Sequence, residues 1–536
     1  MPPAAPAAQT PIAPPTPAVP TAPPAADTTA RFTLVDVRFD GAGALSDSQL
    51  EPAWASYRGK PVSLFDLRDI ARKAEQIYAD DGYPFVVIVV PPQAVSGGMV
   101  HLSVVEGHIS NLTVLSKDPT ARRQATAAFS PLVDKAPLSL GDVDDAYQRA
   151  RDVPGLAVSG ALRRGDEPGG MDLVVQTQRD DWRAYANVNN YYPDATGPWG
   201  VLLGLDYFGH SAWGDVTSGQ FYSSVDGGQQ YVLRLSHDRR LNASGTDLSL
   251  ETLFAWANPQ GAIAPLDIAE NVDLGRIAVS QPLVRSSEFR LDGSVAFEVN
   301  DQDSLVFKST GLTRDRLQEF SATLTGVWKP KWGGDATLAL TGQKGVDIWD
   351  ASQPGDPDLS RPGADPEAFV GQLHFSGETP PVLDVSLYGH VEGQVADHAL
   401  TAPDEYAIGN LTIGRGYEPG AAFGDSAIAY SGEVRLGPFT AFNKKFQAQP
   451  FAFYDAARLW VLTPGAHLAT DIASYGGGVR FDLPGLVHVE LAYAVPLKAP
   501  FPGLGVPDNR FLVNVTVGLN QAYQYLFQRG SKGDAR

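Results

Sequence analysis

The sequence predicts an α+β fold class: two small α/β modules followed by a sixteen-stranded antiparallel β-barrel that spans a membrane. Two observations support this prediction. One helix-start pattern occurs twice, 76 residues apart, and from about Trp182 onward apolar and polar residues alternate almost without interruption. A third observation favours strands over helices as the membrane-spanning elements. The chain has no run of about eighteen apolar residues, so it is not expected to cross a membrane with helices.

Length and composition exclude several classes of protein. With 536 residues the chain is too long for one ordinary compact domain. It has no cysteine, which excludes disulfides, thiolate metal sites and a cysteine nucleophile. The formal charge of −20 argues against nucleic acid as a partner. Residues 1–30 are almost entirely Ala, Pro and Thr, a composition that predicts a disordered linker.

The first module is predicted over residues 31–115. It opens with an alternating strand at Phe32–Phe39, and Ser63-Leu-Phe-Asp66 then has the form of a capping box that starts a helix. Gly82 is placed to end that helix. Two further strands are predicted, at Phe85–Val90 and Met99–Val105.

The second module is predicted over residues 116–180. Ser139-Leu-Gly-Asp142 repeats the helix start of the first module, and a turn at Gly169-Gly170 precedes another strand. Two copies of one module is the simplest interpretation. The alternative is two unrelated α/β segments that share a common helix start.

The barrel is predicted over residues 181–519, with a C-terminal tail at 520–536. An even number of strands is typical of a bacterial outer-membrane barrel, and closure satisfies every backbone group in lipid. A soluble sandwich would also alternate, but the number and length of the segments favour a barrel. The sixteen predicted strands begin near residues 183, 198, 214, 229, 246, 271, 286, 314, 334, 366, 382, 424, 447, 470, 486 and 510.

The longest gap between predicted strands, about 394–423, follows the eleventh strand and is therefore the sixth extracellular loop. It contains Gly414-Arg415-Gly416-Tyr417, in which the glycines permit positive φ and close backbone approach. We predict that this loop folds inward and that Arg415 pairs with Asp455, which follows Phe453 on the thirteenth strand. The alternative is an ordinary solvated loop arginine.

Several motifs in order along the chain resemble those of the two-partner secretion transporters of the TpsB type, typified by ShlB, FhaC and HecB. The loop resembles the V-R-G-Y motif of that family, and Phe453-Tyr454-Asp455 resembles its F-x-D motif. The first module resembles the family's first POTRA domain, the repeated periplasmic module of these proteins. The matching positions in that module are Tyr57, Gly59, Tyr78, Gly82, Tyr83, Pro91, Gln93, Glu106 and Gly107.

The resemblance implies an export pore that lies in outer-membrane lipid and acts as a monomer, with its POTRA modules in the periplasm. Its partner would be a large unfolded exoprotein of the adhesin or haemolysin (TpsA) type, and no cofactor is implied. The sequence departs from the family in having Gly414 where valine is usual. Its Pro-rich start also does not read as the amphipathic plug helix that some relatives carry.

The sequence favours export over three other functions. An outer-membrane protein insertase of the same superfamily shares the loop motif and the barrel, but two modules and Pro91-Pro-Gln93 disfavour it. A general porin would leave the modules unexplained. An enzyme is not expected, because the nine histidines form no His-x-x-x-His or Glu-x-x-His pair and no Gly-x-Ser-x-Gly is present. The sequence therefore predicts no catalytic residues and no metal site.

Overall fold

The computed structural model describes residues 31–225, 229–441, 446–463, 466–501 and 503–520. They belong to two compact units, one mainly from residues up to Asp180 and the other mainly from Asp181 onward. The predicted linker at 1–30 and nearly all of the predicted tail, 521–536, lie outside the described residues. In the described part of the chain, no helix is long and apolar enough to cross a bilayer.

The first module is a three-stranded sheet covered by one long helix. Asp36–Asp40 runs parallel to the central strand Met99–Val105, and Val87–Val89 is antiparallel to it. The helix Leu64–Asp80 buries Leu67 and Ile70 in the core. The remaining elements are the strands Phe32–Thr33 and Pro61–Val62, the short helix Asp47–Leu50, and the 3-10 turns Glu51–Ala53 and Ala55–Tyr57.

The second module repeats this plan. Its central strand is Gly170–Arg179, with His108–Leu115 parallel on one side and Leu156–Arg164 antiparallel on the other. The helices Pro119–Phe129 and Leu140–Arg151 cover the sheet, and Ser130–Leu132 forms a 3-10 turn between them. Phe129 and Leu173 are fully buried in the core that results.

The predicted boundary between the modules, at residues 115 and 116, is wrong. Because His108–Leu115 pairs with Gly170–Arg179, it belongs to the second sheet, and the first module ends at Gly107. A side chain at Gly107 would collide with the chain, since an added Cβ would lie 2.3 Å from the carbonyl oxygen of Phe85. Strand pairing, which the local pattern does not reveal, decides the boundary.

Both predicted capping boxes are confirmed. The hydroxyl of Ser63 accepts from the backbone N–H of Asp66, whose carboxylate accepts from the N–H of Ser63 at 2.8 Å. Ser139 and Asp142 repeat the same exchange. Hydrogen bonds from the backbone and side chain of Ser63 hold the pKa of Asp66 below its ordinary value.

The remaining strands close into the predicted antiparallel barrel of sixteen strands, in which each strand pairs with its neighbours in sequence. Asn514–Gly518 in the last strand pairs with Tyr185–Asn189 in the first, which closes the barrel. The short segment Phe439–Ala441 continues the twelfth strand beyond a bend. The strands are Trp182–Asn189, Gly200–Phe208, Asp215–Ser224, Gln230–Arg240, Asp247–Ala257, Ala269–Arg285, Phe289–Val306, Thr310–Trp328, Asp335–Gly345, Phe369–Glu378, Val385–Ala396, Ser426–Leu436, Phe446–Thr463, Ala466–Leu483, Val487–Pro496 and Arg510–Gly518.

Alternation along each strand separates two faces of the barrel wall. Exposed apolar side chains such as Leu205, Leu324 and Tyr454 lie on the face that meets lipid. Charged and polar side chains lie on the opposite face, where Asp455 and Glu433 are among the buried ones. This lumen face therefore carries the polar chemistry of the barrel.

The capping boxes generate a stability prediction for the soluble fragment 31–180. Replacing Ser63 by alanine removes one capping acceptor, so we expect the free energy of unfolding at pH 7 to fall by about 1 kcal/mol. Because the pKa of Asp66 is lowered in the folded state, the stability it contributes is present above its unfolded pKa of about 3.9 and is lost as pH falls through the folded value. Urea titrations followed by circular dichroism measure both effects.

The matched control is Ser96→Ala, in a turn where the backbone carbonyl of Ser96 accepts from Met99. Equal losses of stability in the two variants would contradict the capping assignment. A disordered spectrum for the unmodified fragment would contradict the two-module fold itself.

Candidate functional site

The longest connection between barrel strands, 397–425, folds into the barrel and is called here the inserted loop. It contains a 3-10 turn at Ala402–Asp404 and a small hairpin in which Tyr406–Ile408 pairs with Ala422–Gly424. The loop follows the eleventh strand, as the sequence predicts, although its bounds lie two to three residues later than 394–423.

The loop tip packs against the inner wall formed by strands twelve to fourteen. Ile413 and Tyr417 are 1% and 0% exposed and contact a cluster that includes Ala429, Leu459 and Ile472. Apart from this packing, the Tyr417 hydroxyl lies 2.8 Å from the carbonyl oxygen of Ala473 and 2.9 Å from that of Lys498. The tip is therefore held by both apolar burial and backbone hydrogen bonds.

Arg415 binds Asp455 through two parallel hydrogen bonds. Its Nε donates to Oδ2 at 3.0 Å and its Nη2 donates to Oδ1 at 2.7 Å, while its backbone N–H also donates to Oδ2 at 2.9 Å. The Asp455 side chain is 1% exposed and that of Arg415 is 14% exposed. This fork-to-fork geometry fixes both the distance and the orientation of the loop tip.

A second carboxylate joins this pair to a larger set of charges on the lumen face. Glu433 accepts from Arg415 and, through both of its oxygens, from Arg480 at 3.0 and 3.1 Å. Arg480 also donates to Glu490 at 2.6 Å. We call the complete set the lumen network: Arg415, Arg435, Arg480, Glu378, Glu433, Asp455 and Glu490.

Aromatic rings lie beneath two of these guanidinium groups. The Cζ atom of Arg415 is 3.5 Å from the ring centroid of Phe453, and that of Arg480 is 4.0 Å from the ring centroid of Phe451. Both contacts are within the range of a cation–π interaction. Each ring in turn covers a glycine of strand fourteen, where an added Cβ would lie 2.6 Å from Phe453 at Gly476 and 2.8 Å from Phe451 at Gly478.

The two glycines that flank Arg415 have different roles. Gly414 has a φ of +116°, a conformation that would strain the valine usual in the resembled motif. Gly416 instead allows close approach, because an added Cβ would lie 2.7 Å from Cβ of Ser474 and 3.0 Å from the backbone nitrogen of Pro496. The first glycine sets the direction of the tip and the second lets it reach the wall.

A separate ion pair holds the base of the inserted loop. Arg361, in the connection between strands nine and ten, donates to Asp425 at 2.6 and 3.1 Å and to Glu405 at 2.8 Å. Asp425 is fully buried and also accepts from the backbone N–H groups of Leu400 and Leu462. The sequence prediction did not include Arg361, since it lies 64 residues from its partner within another loop.

The predicted motif residues of the first module lie inside that module and not at an open site. Glu106 accepts from the N–H groups of Gly43 and Ala44 at 2.8 Å, and the Tyr78 hydroxyl donates to it at 3.3 Å. Burial, together with the charge of Glu106, raises the pKa of Tyr78 to about 12. These contacts hold a loop, a helix and the end of a strand together.

The other motif residues of this module also shape its fold. The Gln93 side chain bonds the backbone of His101 in both directions, at 2.6 and 2.9 Å, and so extends the sheet beside Pro91. The Tyr57 hydroxyl donates to Asp69 at 2.6 Å. Tyr83 packs edge-on against Tyr78, and both Gly59 and Gly82 have positive φ in turns.

The fold and the inserted loop define a class, the outer-membrane β-barrel transporters that carry periplasmic POTRA domains. The family model described as POTRA domain, ShlB-type, matches residues 32–107, and that of the haemolysin secretion/activation proteins ShlB/FhaC/HecB matches residues 275–481. Both matched regions, the first POTRA domain and most of the barrel, are therefore of the ShlB/FhaC/HecB type. Its barrel lies in the outer membrane and its POTRA domains lie in the periplasm.

Individual relatives are distant in sequence. The heme/hemopexin transporter protein HuxB of Haemophilus influenzae is 19% identical over 453 residues, which cover 82% of this chain and 79% of HuxB. The outer membrane transporter CdiB-2 of Burkholderia pseudomallei is 28% identical over 506 residues, which cover 88% of this chain and 80% of CdiB-2. The solved structure of CdiB from Escherichia coli superposes with a TM-score of 0.75 at 16% identity, covering 95% of this chain and 93% of that one.

The geometry at Gly416 yields a prediction about the loop tip. A methyl group there would collide with Ser474 and the backbone of Pro496, so Gly416→Ala is expected to displace the tip from the wall. Arg415, which is nearly buried in the folded chain, should then become a site of rapid trypsin cleavage in the detergent-solubilised protein. Mass spectrometry of the fragments identifies the cut.

The control for this variant is Gly432→Ala, since an added Cβ at Gly432 meets nothing within 4 Å. We expect this variant to keep the tip protected. A Gly416→Ala protein that resists trypsin as well as the unmodified chain does would show that the tip tolerates the methyl group.

Proposed function

We propose that this protein captures an unfolded exoprotein with its periplasmic POTRA domains and exports it through the barrel to the cell surface. The observation that supports this most directly is the inserted loop, a long segment held inside a polar lumen by charged side chains. Because side-chain contacts hold the loop and backbone pairing holds the wall, the loop can move while the barrel stays folded. We also propose that the chain acts as a single pore and catalyses no covalent reaction.

The POTRA domains offer backbone groups for capture. In the part of the chain that the structure describes, Leu156–Arg164 pairs only with Gly170–Arg179, so its other edge is open. An extended segment of the partner can add to such an edge as a further strand. Because backbone hydrogen bonds supply most of the affinity, this mode of binding tolerates many sequences.

The matched family, described as haemolysin secretion/activation proteins, supports a secreted protein as the partner. HuxB is described as a heme/hemopexin transporter protein and CdiB-2 as an outer membrane transporter. We propose a large exoprotein of the adhesin or haemolysin type as the partner of this chain. External folding of the exported chain then biases its movement outward, and no nucleotide is required.

Co-expression tests the proposal. The chain is produced in a Gram-negative host together with a candidate large exoprotein from its own genome, and the exoprotein at the surface and in the medium is quantified. Export that depends on this chain supports the proposal. Loss of other outer-membrane proteins on its depletion, with no exoprotein export, would instead indicate an insertase.

The lumen network predicts how export depends on Arg415 and Asp455. Removing one partner of a buried ion pair costs about 3–5 kcal/mol, since the other charge is left uncompensated. We therefore expect Arg415→Ala and Asp455→Ala each to reduce export about tenfold or more while the barrel still assembles. The double variant should be no worse than either single one, because the pair acts as a unit.

The matched control is Arg458→Ala, on the same strand as Asp455. It breaks an ion pair with Asp471 of strand fourteen, in which the two side chains are 54% and 47% exposed. Exposed pairs contribute roughly 0–1 kcal/mol, so export should be unchanged. Heat-modifiable mobility on gels reports assembly in every variant. Normal export by both single variants, or losses that simply add in the double variant, would contradict the prediction that export depends on the Arg415–Asp455 pair.

A second prediction concerns the open area of the pore. The inserted loop fills part of the lumen beside strands twelve to fourteen, so deleting 397–425 should raise the single-channel conductance in planar bilayers. The comparison protein is the full chain reconstituted under the same conditions. Equal conductance in the two proteins, with assembly verified, would show that the loop does not restrict the pore.

A further inference from the structure

Three side chains that do not belong to the lumen network meet on the lumen face of two neighbouring strands. His374 lies on strand ten, and His390 and Glu392 lie on strand eleven. In the register of these strands His374 lies opposite Glu392, and His390 lies opposite Ser376. All three point to the face that also carries Gln394, which donates to the carbonyl oxygen of Asp404 in the inserted loop.

The side chains present their ligand atoms to one another. The possible donor atoms of all three lie within 4.8 Å, with His390 Nε2 at 3.0 Å and His374 Nδ1 at 3.6 Å from Oε1 of Glu392. Two ligands of one tetrahedral zinc ion, each about 2.0–2.2 Å from the metal, are separated by roughly 3.3–3.6 Å. The two distances to Glu392, 3.0 and 3.6 Å, lie close to that range.

His390 supplies an independent observation. Its Nε2 is buried and has no hydrogen-bond partner, although Oε1 of Glu392 is only 3.0 Å away. The two atoms are close but are not aligned as donor and acceptor. A buried ring nitrogen that is unpaired is unfavourable, and a metal ion bound by both atoms would satisfy it.

We propose that His374, His390 and Glu392 form a binding site for a divalent transition metal of borderline softness, Zn²⁺ above all. Two imidazoles and one carboxylate are a ligand set that suits zinc, and three protein ligands leave one position open to water. His374 is 48% exposed, so the ion can enter from the lumen side, whereas His390 and Glu392 are mostly buried.

The site includes an outer partner from the inserted loop. The Tyr406 hydroxyl donates to Oε2 of Glu392 at 2.6 Å, which leaves Oε1 directed at the two histidines. Tyr406 lies in the loop hairpin, so the orientation of a metal ligand depends on the loop being seated. Tyr406 is a positioning residue, and metal binding therefore favours the seated loop.

Cobalt provides the test, because Co²⁺ commonly replaces zinc and absorbs visible light when bound to protein ligands. The full chain, purified without a histidine tag and freed of metal, is titrated with Co²⁺. We expect one equivalent to bind with a visible spectrum that Zn²⁺ displaces. His390→Gln, His374→Gln and Glu392→Gln should each abolish that spectrum, and Tyr406→Phe should weaken binding about tenfold.

The matched control is His488→Gln. His488 is a single histidine that bonds one carboxylate, that of Asp482, at 2.6 Å in the same barrel. This variant should keep the Co²⁺ spectrum. A spectrum that is absent from the unmodified chain, or that persists in His390→Gln, would overturn the proposal.

A measurement on the unmodified chain keeps the test independent of variant folding. Imidazole binds a metal ion only when it is not protonated, so Co²⁺ affinity should fall when the solution is made mildly acidic. Affinity that is unchanged by mild acidification would indicate binding by carboxylates alone and would overturn the proposed ligand set.

Discussion

The contact between Arg415 and Asp455 is the interaction on which the arrangement of the lumen depends. Taking a guanidinium and a carboxylate out of water is costly, and the cost is offset only when the geometry is good and the remaining donors are satisfied. Here the fork-to-fork pair is completed by Ser431 and Glu433, and the guanidinium lies over the ring of Phe453. The loop tip has one position in which all of these contacts exist together.

The wall of the barrel is shaped to permit that position. Small residues in strand fourteen leave room for Phe451 and Phe453 to lie flat, so that two arginines can stack above them. Glu433 then connects three guanidinium groups, those of Arg415 in the inserted loop, Arg435 on strand twelve and Arg480 on strand fourteen. Replacing either of these rings, or a glycine beneath it, would therefore displace the arginine that stacks above the ring.

Periodic and local features of this fold can be predicted from the sequence, whereas contacts between residues that only strand pairing or loop packing brings together cannot. The alternation placed the start of every barrel strand within four residues, and both helix starts were found from Ser63 and Ser139. The partner of Asp425 was not found, because Arg361 lies in a different loop. The cluster of His374 and His390 was not predicted for the same reason, because the two histidines are neighbours across two strands and match no motif spaced along a helix.

The inserted loop has two anchors of different kinds, and this gives it two modes of movement. At its base, Arg361 and Asp425 join it to another loop, whereas at its tip Arg415 and Tyr417 join it to the wall. Breaking the tip contacts alone leaves a tethered arm that swings aside and can return to the same seat. Breaking the base contacts as well would release the second anchor, so the loop would leave its seat in two steps with an intermediate position.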